Sequence, residues 1–373
     1  MKRDDILHWL REENEKRLEE LWHQADTVRR ENLGDDVHLR GLVEISNYCV
    51  RQCGYCGLRA GNKELERYRM EEEEIMACAE EAERCGYGTV VLQSGEDDGI
   101  ETEWLANTVH RIKAETPLAV TLSMGERPDK DLEAWRKAGA DRYLLRFETS
   151  NPDLYHLIHP SFSGRSSHRI EILKRLRSMG YEIGSGVMIG IPGQTYESLA
   201  EDIEIFRGLD LDMVGVGPYI PHPATPLATG EWKFLISHEE QVLNTEDMTY
   251  KVIALTRMLC PEANIPSTTA LATINIEQGR ELGLMRGANV MMPNLTPSKY
   301  RALYEIYPSM ACIGETAWEC PSCLTHRIQS IGRRVGVGRG DRIHCIDSMG
   351  SLLVERKDRP KKEGFKNKGL LIK

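Results

Sequence analysis

No apolar run in the chain approaches the ~18 residues that a membrane-spanning helix needs. The first twenty residues are densely charged and lack the apolar core of a secretory signal. Basic excess is missing too: 48 Lys and Arg stand against 58 Asp and Glu, a net charge of −10. That balance argues against nucleic-acid binding, which needs a basic surface. There is no tandem repeat, no low-complexity tract, and no His-Glu-x-x-His or His-x-His pattern of a zinc hydrolase. Ten cysteines in 373 residues are too few for a disulfide scaffold and too clustered for scattered core thiols. These absences set the expectation of a cytoplasmic protein in a reducing compartment, where grouped cysteines point to metal binding or catalysis.

What is present is a rhythm. Residues 3–31 read as one amphipathic helix, with Leu7, Leu10, Leu18, Leu21 and Trp22 forming its stripe. From residue 39, short aliphatic runs at 39–45, 89–93, 119–122, 142–147, 183–189, 213–216, 265–269 and 289–292 read as strands. Helical patterns alternate with them near 71–85, 101–115, 129–138, 166–179, 196–208, 246–260, 277–285 and 299–306. Eight such units predict an α/β fold of the (β/α)8 TIM-barrel type, with a doubly wound sheet as the rival. The expected layout is an N-terminal helical segment at 1–38, the barrel at 39–306, a C-terminal extension at 307–355 and a tail at 356–373. Eight Lys and Arg against Asp358 and Glu363 make that tail basic.

The strongest chemical signal is Cys49-x3-Cys53-x2-Cys56, directly after the first strand. Active sites of such barrels lie at the C-terminal ends of the strands. Three thiolates on one short loop can hold three corners of an iron–sulfur cubane and leave the fourth iron open. A closed zinc site would need a fourth adjacent ligand, and none is there. A second group, Cys312-x7-Cys320-x2-Cys323, allows an iron–sulfur centre or a zinc site completed by His326. Cys78, Cys85, Cys260 and Cys345 read as inert thiols in helical patterns.

The cysteine loop, with Tyr55 before its last cysteine, resembles the signature of the radical S-adenosylmethionine (SAM) superfamily. Longer phrases narrow the resemblance: Ser46-Asn-Tyr-Cys49, Cys56-Gly-Leu-Arg59, Leu92-Gln-Ser-Gly-Glu-Asp97, the stretch 140–149, Ile265-Pro-Ser-Thr-Thr-Ala270 and the stretch 287–294. Together they resemble the HydE family of FeFe-hydrogenase maturases over most of the chain. The resemblance implies a radical SAM barrel whose 4Fe-4S cluster has one open iron, chelated by the amino and carboxylate groups of SAM. One electron then cleaves SAM to methionine and a 5′-deoxyadenosyl radical. It further implies a cysteine-bound iron carbonyl/cyanide complex as substrate in H-cluster assembly, partner maturases, a ferredoxin or flavodoxin reductant, and an accessory 2Fe-2S or 4Fe-4S cluster on Cys312, Cys320 and Cys323. A monomer is expected, with no nucleic-acid or membrane partner. The alternatives are a biotin synthase-like sulfur inserter, a methylornithine synthase-like mutase, and a non-enzymatic iron–sulfur carrier.

Roles follow residue by residue. By resemblance, the stretch Gln93-Ser94-Gly-Glu96 stands where radical SAM enzymes offer backbone carbonyls and a Glu side chain to the cofactor's ammonium, a cation that needs acceptors. Strand alternation sends Arg146 and Glu148 to one face, and an inward charge pair is costly unless it binds something. By resemblance Glu148 meets the ribose or ammonium of SAM and Arg169 its carboxylate; position alone makes Arg169 a solvent-facing residue on a helix flank. Tyr55, Thr121, Met292 and Tyr304 are assigned to the cofactor. Arg146, Thr268, Thr269 and Tyr307 are assigned to the substrate, with Arg146 also counted as catalytic. Gly184, Gly186, Gly190 and Gly193 suit close backbone approach to the adenine.

Overall fold

Strand β1 (Asp36–Ser46) is buried along nearly its whole length, as a parallel strand with packing on both faces must be. It pairs in parallel with β2 (Thr89–Ser94), which pairs with β3 (Ala119–Ser123), then β4 (Arg142–Leu144), then β5 (Glu182–Ser185). Beyond β5 the chain forms β6 (Met188–Ile189), β7 (Met213–Val214) and β8 (Gly217–Pro218). β7 pairs with β5, and β6 with β8, all in parallel. β9 (Val290–Met291) returns to β1 at His38 and Leu39. This is the α/β barrel of parallel strands that the alternation predicted, with every strand's C-terminal end on one side. Residues 1–162, 167–311 and 319–342 are described in this computed structural model, the side chains of 319–322 excepted.

Three local departures have physical causes. The expected seventh strand at 265–269 is reduced to isolated parallel bridges, Met213 to Asn264 and Pro266 to Val290. Pro266 has no N–H for a ladder, and side chains replace part of it: Ile265 N donates to Asn289 Oδ1 at 2.9 Å, and Asn289 Nδ2 to Asn264 Oδ1 at 2.9 Å. The fifth position breaks between β5 and β6. There a Cβ on Gly186 would lie 1.7 Å from the Gly215 carbonyl oxygen, so strand crowding by itself demands this glycine. Gly184 likewise faces the side chains of Leu144 and Met213. The N-terminal helix, expected as one, is two: α1 (Arg3–Arg11) and α2 (Glu15–Leu33). Asn14 accepts from the Arg17 N–H and caps the second, which starts a new helix where the first stops.

Helices cover the outside. α1 buries Ile6 and Leu10 against helix Tyr196–Gly208, and α2 packs on helix Glu246–Leu259. Helix Pro152–Ile158 and helix Thr269–Ile274 were not anticipated. Helix Glu319–Ser330 leads to β10 (Arg334–Val335), which pairs with the start of β1. The following segment closes the N-terminal end of the barrel, its Arg339 and Gly340 carbonyls accepting from Thr89, Arg142, Arg40 and Asn264. The chain divides into Met1–Gly340 and Asp341–Lys373; the basic tail and Cys345 lie outside the described residues. Among those residues no helix is long and apolar enough to cross a membrane.

Candidate active site

The cysteine loop leaves the C-terminal end of β1 and is held by side chains and by the backbone of neighbouring segments. Asn47 Nδ2 donates to the Glu66 and Leu303 carbonyls, each at 2.7 Å, while its Oδ1 accepts from Tyr68 N at 2.8 Å. Arg67 gathers the carbonyls of Asn47, Leu58, Arg59 and Asn62. Gly54 N donates to Ile158 O at 2.7 Å and Gly57 N to Ile306 O at 3.0 Å. A Cβ on Gly57 would lie 2.2 Å from the Glu305 carbonyl oxygen and 2.6 Å from the His222 ring, so only glycine passes there. A small apolar cluster of Leu154, Ile158, Ile191, Tyr219 and Leu227 backs the loop, with Tyr55 packed against it.

Cys53 is buried, and Cys49 and Cys56 are half-buried; all three are free thiols. Burial pushes all three pKa values up, Cys56 to about 12, and Cys49 and Cys56 further raise Cys53. Thiols that oppose each other's ionisation in this way fit a cationic soft-metal centre, which would hold all three as thiolates. No group of three or more His, Cys, Asp or Glu among the described residues converges as a single metal ion would require. A cubane, with one cysteine per iron, does not ask for such convergence.

An ionic network adjoins the loop. Arg51, between Cys49 and Cys53, donates through Nε to Glu96 Oε1 at 2.6 Å and lies 3.1 Å from Glu126 Oε2 through Nη2. Glu96 Oε2 accepts from Glu126 N at 3.1 Å. Both Glu96 oxygens are therefore engaged in holding the loop. Glu126 also accepts from Ser167 and, at 2.9 Å, from Arg169 Nε. Burial alone would raise the Glu126 pKa, but Arg169 and Ser167 bring it well below the usual carboxylate range. Burial and the Arg169 charge push His159 down to about 4, against the pull of Glu126, so its ring is neutral at pH 7. Its Nδ1 lies 3.0 Å from Cys53 Sγ.

Arg169 is buried, not solvent-facing. Besides Glu126 it reaches the Arg146 carbonyl oxygen at 2.7 Å through Nη1 and His159 Nε2 at 3.1 Å through Nη2. Arg146 and Glu148 do meet, Nη2 to Oε2 at 3.1 Å, but not by strand alternation, because β4 ends at Leu144. Glu148 instead adopts a left-handed backbone, φ 63°, an uncommon state for a residue with a Cβ and a recurrent one at functional sites. Arg146 Nη2 and Glu148 Oε2 have only each other, as an ion pair, and Arg146 Nε, Thr121 Oγ1 and Thr268 Oγ1 are buried without a hydrogen-bond partner. Unmade hydrogen bonds of this kind are expensive unless a ligand completes them.

The remaining expected residues distribute as follows. Gln93 Nε2 donates to the buried Tyr304 hydroxyl at 3.2 Å. Ser94 turns its hydroxyl to the Gly95 carbonyl and Met124. Thr268 stands at the N-cap position of helix Thr269–Ile274 without a side-chain hydrogen bond to it, and Thr269 is in the first turn. Met292 is half-buried just past β9, and Tyr307 follows Ile306, whose carbonyl holds the cysteine loop. Cys312 and the Cys320 side chain lie outside the described residues; Cys323 is exposed on helix Glu319–Ser330. Cys78 is buried and donates to the Leu295 carbonyl, as an inert core thiol would. Arg51, Glu126 and His159 were missed. Only Arg51 carried a local signal, its place inside the cysteine loop.

Comparison with known proteins gives the class first. The profile of the Radical SAM superfamily matches residues 43–206, which takes in the end of β1, the cysteine loop and β2 to β6. The fold and this match define a radical SAM enzyme, and that class implies a 4Fe-4S cluster and SAM. The [FeFe] hydrogenase maturase subunit HydE of Thermotoga maritima is 46% identical over 331 residues, covering 89% of this chain and 91% of that protein. The chain belongs to the HydE family within the radical SAM superfamily. A 3-methylornithine synthase of Methanosarcina acetivorans is 30% identical over 292 residues, 77% of this chain and 78% of its own length. The crystal structure of methylornithine synthase superposes with a TM-score of 0.76 at 24% identity, covering 90% and 94% of the two chains, and confirms the fold.

Proposed function

We propose that this protein is a HydE-type maturase acting in assembly of the di-iron subsite of the FeFe-hydrogenase H-cluster. The observation that carries the proposal is the three-cysteine loop at the C-terminal end of β1, in a barrel where Arg146 Nε, Thr121 Oγ1 and Thr268 Oγ1 are buried without a hydrogen-bond partner. When bound, the cluster on Cys49, Cys53 and Cys56 supplies the electron that cleaves SAM to methionine and a 5′-deoxyadenosyl radical. The protein's own contribution is placement. Arg169, held by Glu126, the Arg146 carbonyl and His159, keeps a second N–H on each Nη for the cofactor's carboxylate, and Glu148 takes its ribose or ammonium. Tyr55, Gln93, Ser94, Thr121, Met292 and Tyr304 complete that subsite.

Arg146, Thr268, Thr269 and Tyr307 present cationic and hydroxyl donors to an anionic substrate, which suits a cysteine-bound iron carbonyl/cyanide complex. Cys312, Cys320 and Cys323 would carry an accessory iron–sulfur cluster outside this chemistry, and the partners would be other maturases and a ferredoxin- or flavodoxin-type reductant. The test is in vitro maturation of apo-hydrogenase with the partner maturases. Hydrogenase activity that depends on this protein and on SAM supports the proposal. SAM cleavage without hydrogenase activation, or production of methylornithine from lysine, overturns it.

A further inference from the structure

We infer that His159 is a positioning residue for the iron–sulfur centre: its Nδ1–H donates to the Cys53 sulfur and raises the potential at which the centre accepts its electron. The inference rests on the reading of Cys49, Cys53 and Cys56 as the cluster ligands and goes beyond it.

The proton's place follows from the partners. The His159 ring is buried at the end of helix Pro152–Ile158, with Nδ1 3.0 Å from Cys53 Sγ and Nε2 3.1 Å from Arg169 Nη2. A guanidinium only donates, so Nε2 presents its lone pair and the ring's single proton sits on Nδ1. Glu126 Oε1 is the longer contact at 3.5 Å from Nε2 and is already filled by Ser167 and Arg169. Arg169 cannot turn away, because Glu126 and the Arg146 carbonyl hold its other nitrogens. Tyr155, 5.1 Å away between ring centroids, packs on the imidazole.

The three cysteines are thereby unequal. Cys49 is fronted by the backbone N–H groups of Arg51 and Glu96, and Cys56 by that of Leu58. Cys53 has a side-chain donor, tied through Arg169 to the residues that would hold cofactor and substrate. An N–H aimed at a ligating sulfur draws off electron density and favours the reduced, more negative cluster. One electron enters from an external low-potential reductant, no bond is made or broken at His159, and its proton stays in place.

The test is a redox titration of the anaerobically reconstituted protein, following the electron paramagnetic resonance signal that changes when SAM is added. His159→Asn places an amide where Nδ1 was. His159→Gln keeps an acceptor for Arg169 but offers nothing to the sulfur, and His159→Phe removes both. The Gln and Phe variants are expected to be harder to reduce by about tenfold, ~59 mV for a one-electron couple, with Asn close to wild type. Wild-type potentials in Gln and Phe, or an Asn variant no easier to reduce than Gln, overturn the inference. Where Phe fails to take up iron, the Asn–Gln comparison decides alone. A wild-type protein that assembles no cluster on these cysteines sinks the underlying reading instead.

Discussion

Arg169 donates through Nη1 to the main-chain carbonyl of Arg146 at 2.7 Å. The residue proposed to hold the cofactor's carboxylate thus also fixes the backbone of the residue proposed to meet the substrate. Both depend on Glu126, which anchors the same guanidinium.

Replacing Arg169 with Lys keeps the charge and loses the fork. A single ammonium cannot serve Glu126, His159 and the Arg146 carbonyl at once. Arg169→Lys is expected to lower 5′-deoxyadenosine formation at least tenfold. Arg169→Ala, which leaves Glu126 with Arg51 and Ser167 alone, should cost about 1–3 kcal/mol in urea unfolding. Wild-type turnover in the Lys variant would contradict the linkage.

Glu148 sets a backbone cost against a functional gain. Its left-handed conformation costs roughly 1–2 kcal/mol for a residue with a Cβ. Glycine at 148 relieves that strain while losing an ion pair with the partly exposed Arg146. Unfolding free energy should therefore change by no more than about 1 kcal/mol, while SAM cleavage falls about a hundredfold or more. A variant that loses stability but not activity would show Glu148 to be structural.

Asp202 gives a pH signature. Burial pushes its carboxyl up to about 7, against hydrogen bonds from Ser150. The folded chain holds this proton up to about pH 7, whereas the unfolded chain releases it near pH 4. This contribution to stability is complete below pH 4 and is lost as pH rises toward and through 7. Asp202→Asn keeps an acceptor for the Ser150 N–H, so it should flatten that decline and unfold later than wild type at pH 8. Urea titrations at pH 5 and pH 8 check both points.

The two cysteine groups should separate cleanly. Cys320→Ala is expected to leave 5′-deoxyadenosine formation near wild type and to lower only the total iron per chain. A large loss of cleavage in that variant would place the second group inside the chemistry.

The cysteine loop was legible because its three ligands sit within eight residues of chain. The barrel was legible because parallel strands buried on both faces leave continuous aliphatic runs. What stayed hidden depends on distant segments. Glu126 and His159 come from loops after β3 and β4, and neither shows a local pattern that announces Cys53. Arg169 looked solvent-facing because helical position cannot reveal that its flank packs over the barrel mouth. Pro266 was the visible warning that the seventh strand would not form a ladder, and Asn14 that the N-terminal helix would restart.

The central claim is that Cys49, Cys53 and Cys56 hold a cluster that cleaves SAM. The most direct measurement is chromatographic detection of 5′-deoxyadenosine from the anaerobically reconstituted, dithionite-reduced protein, alongside Cys53→Ala. The account predicts formation that requires SAM and reductant in the wild type and none in the variant. No 5′-deoxyadenosine from a wild-type protein with its cluster assembled, or equal amounts from both proteins, would contradict it.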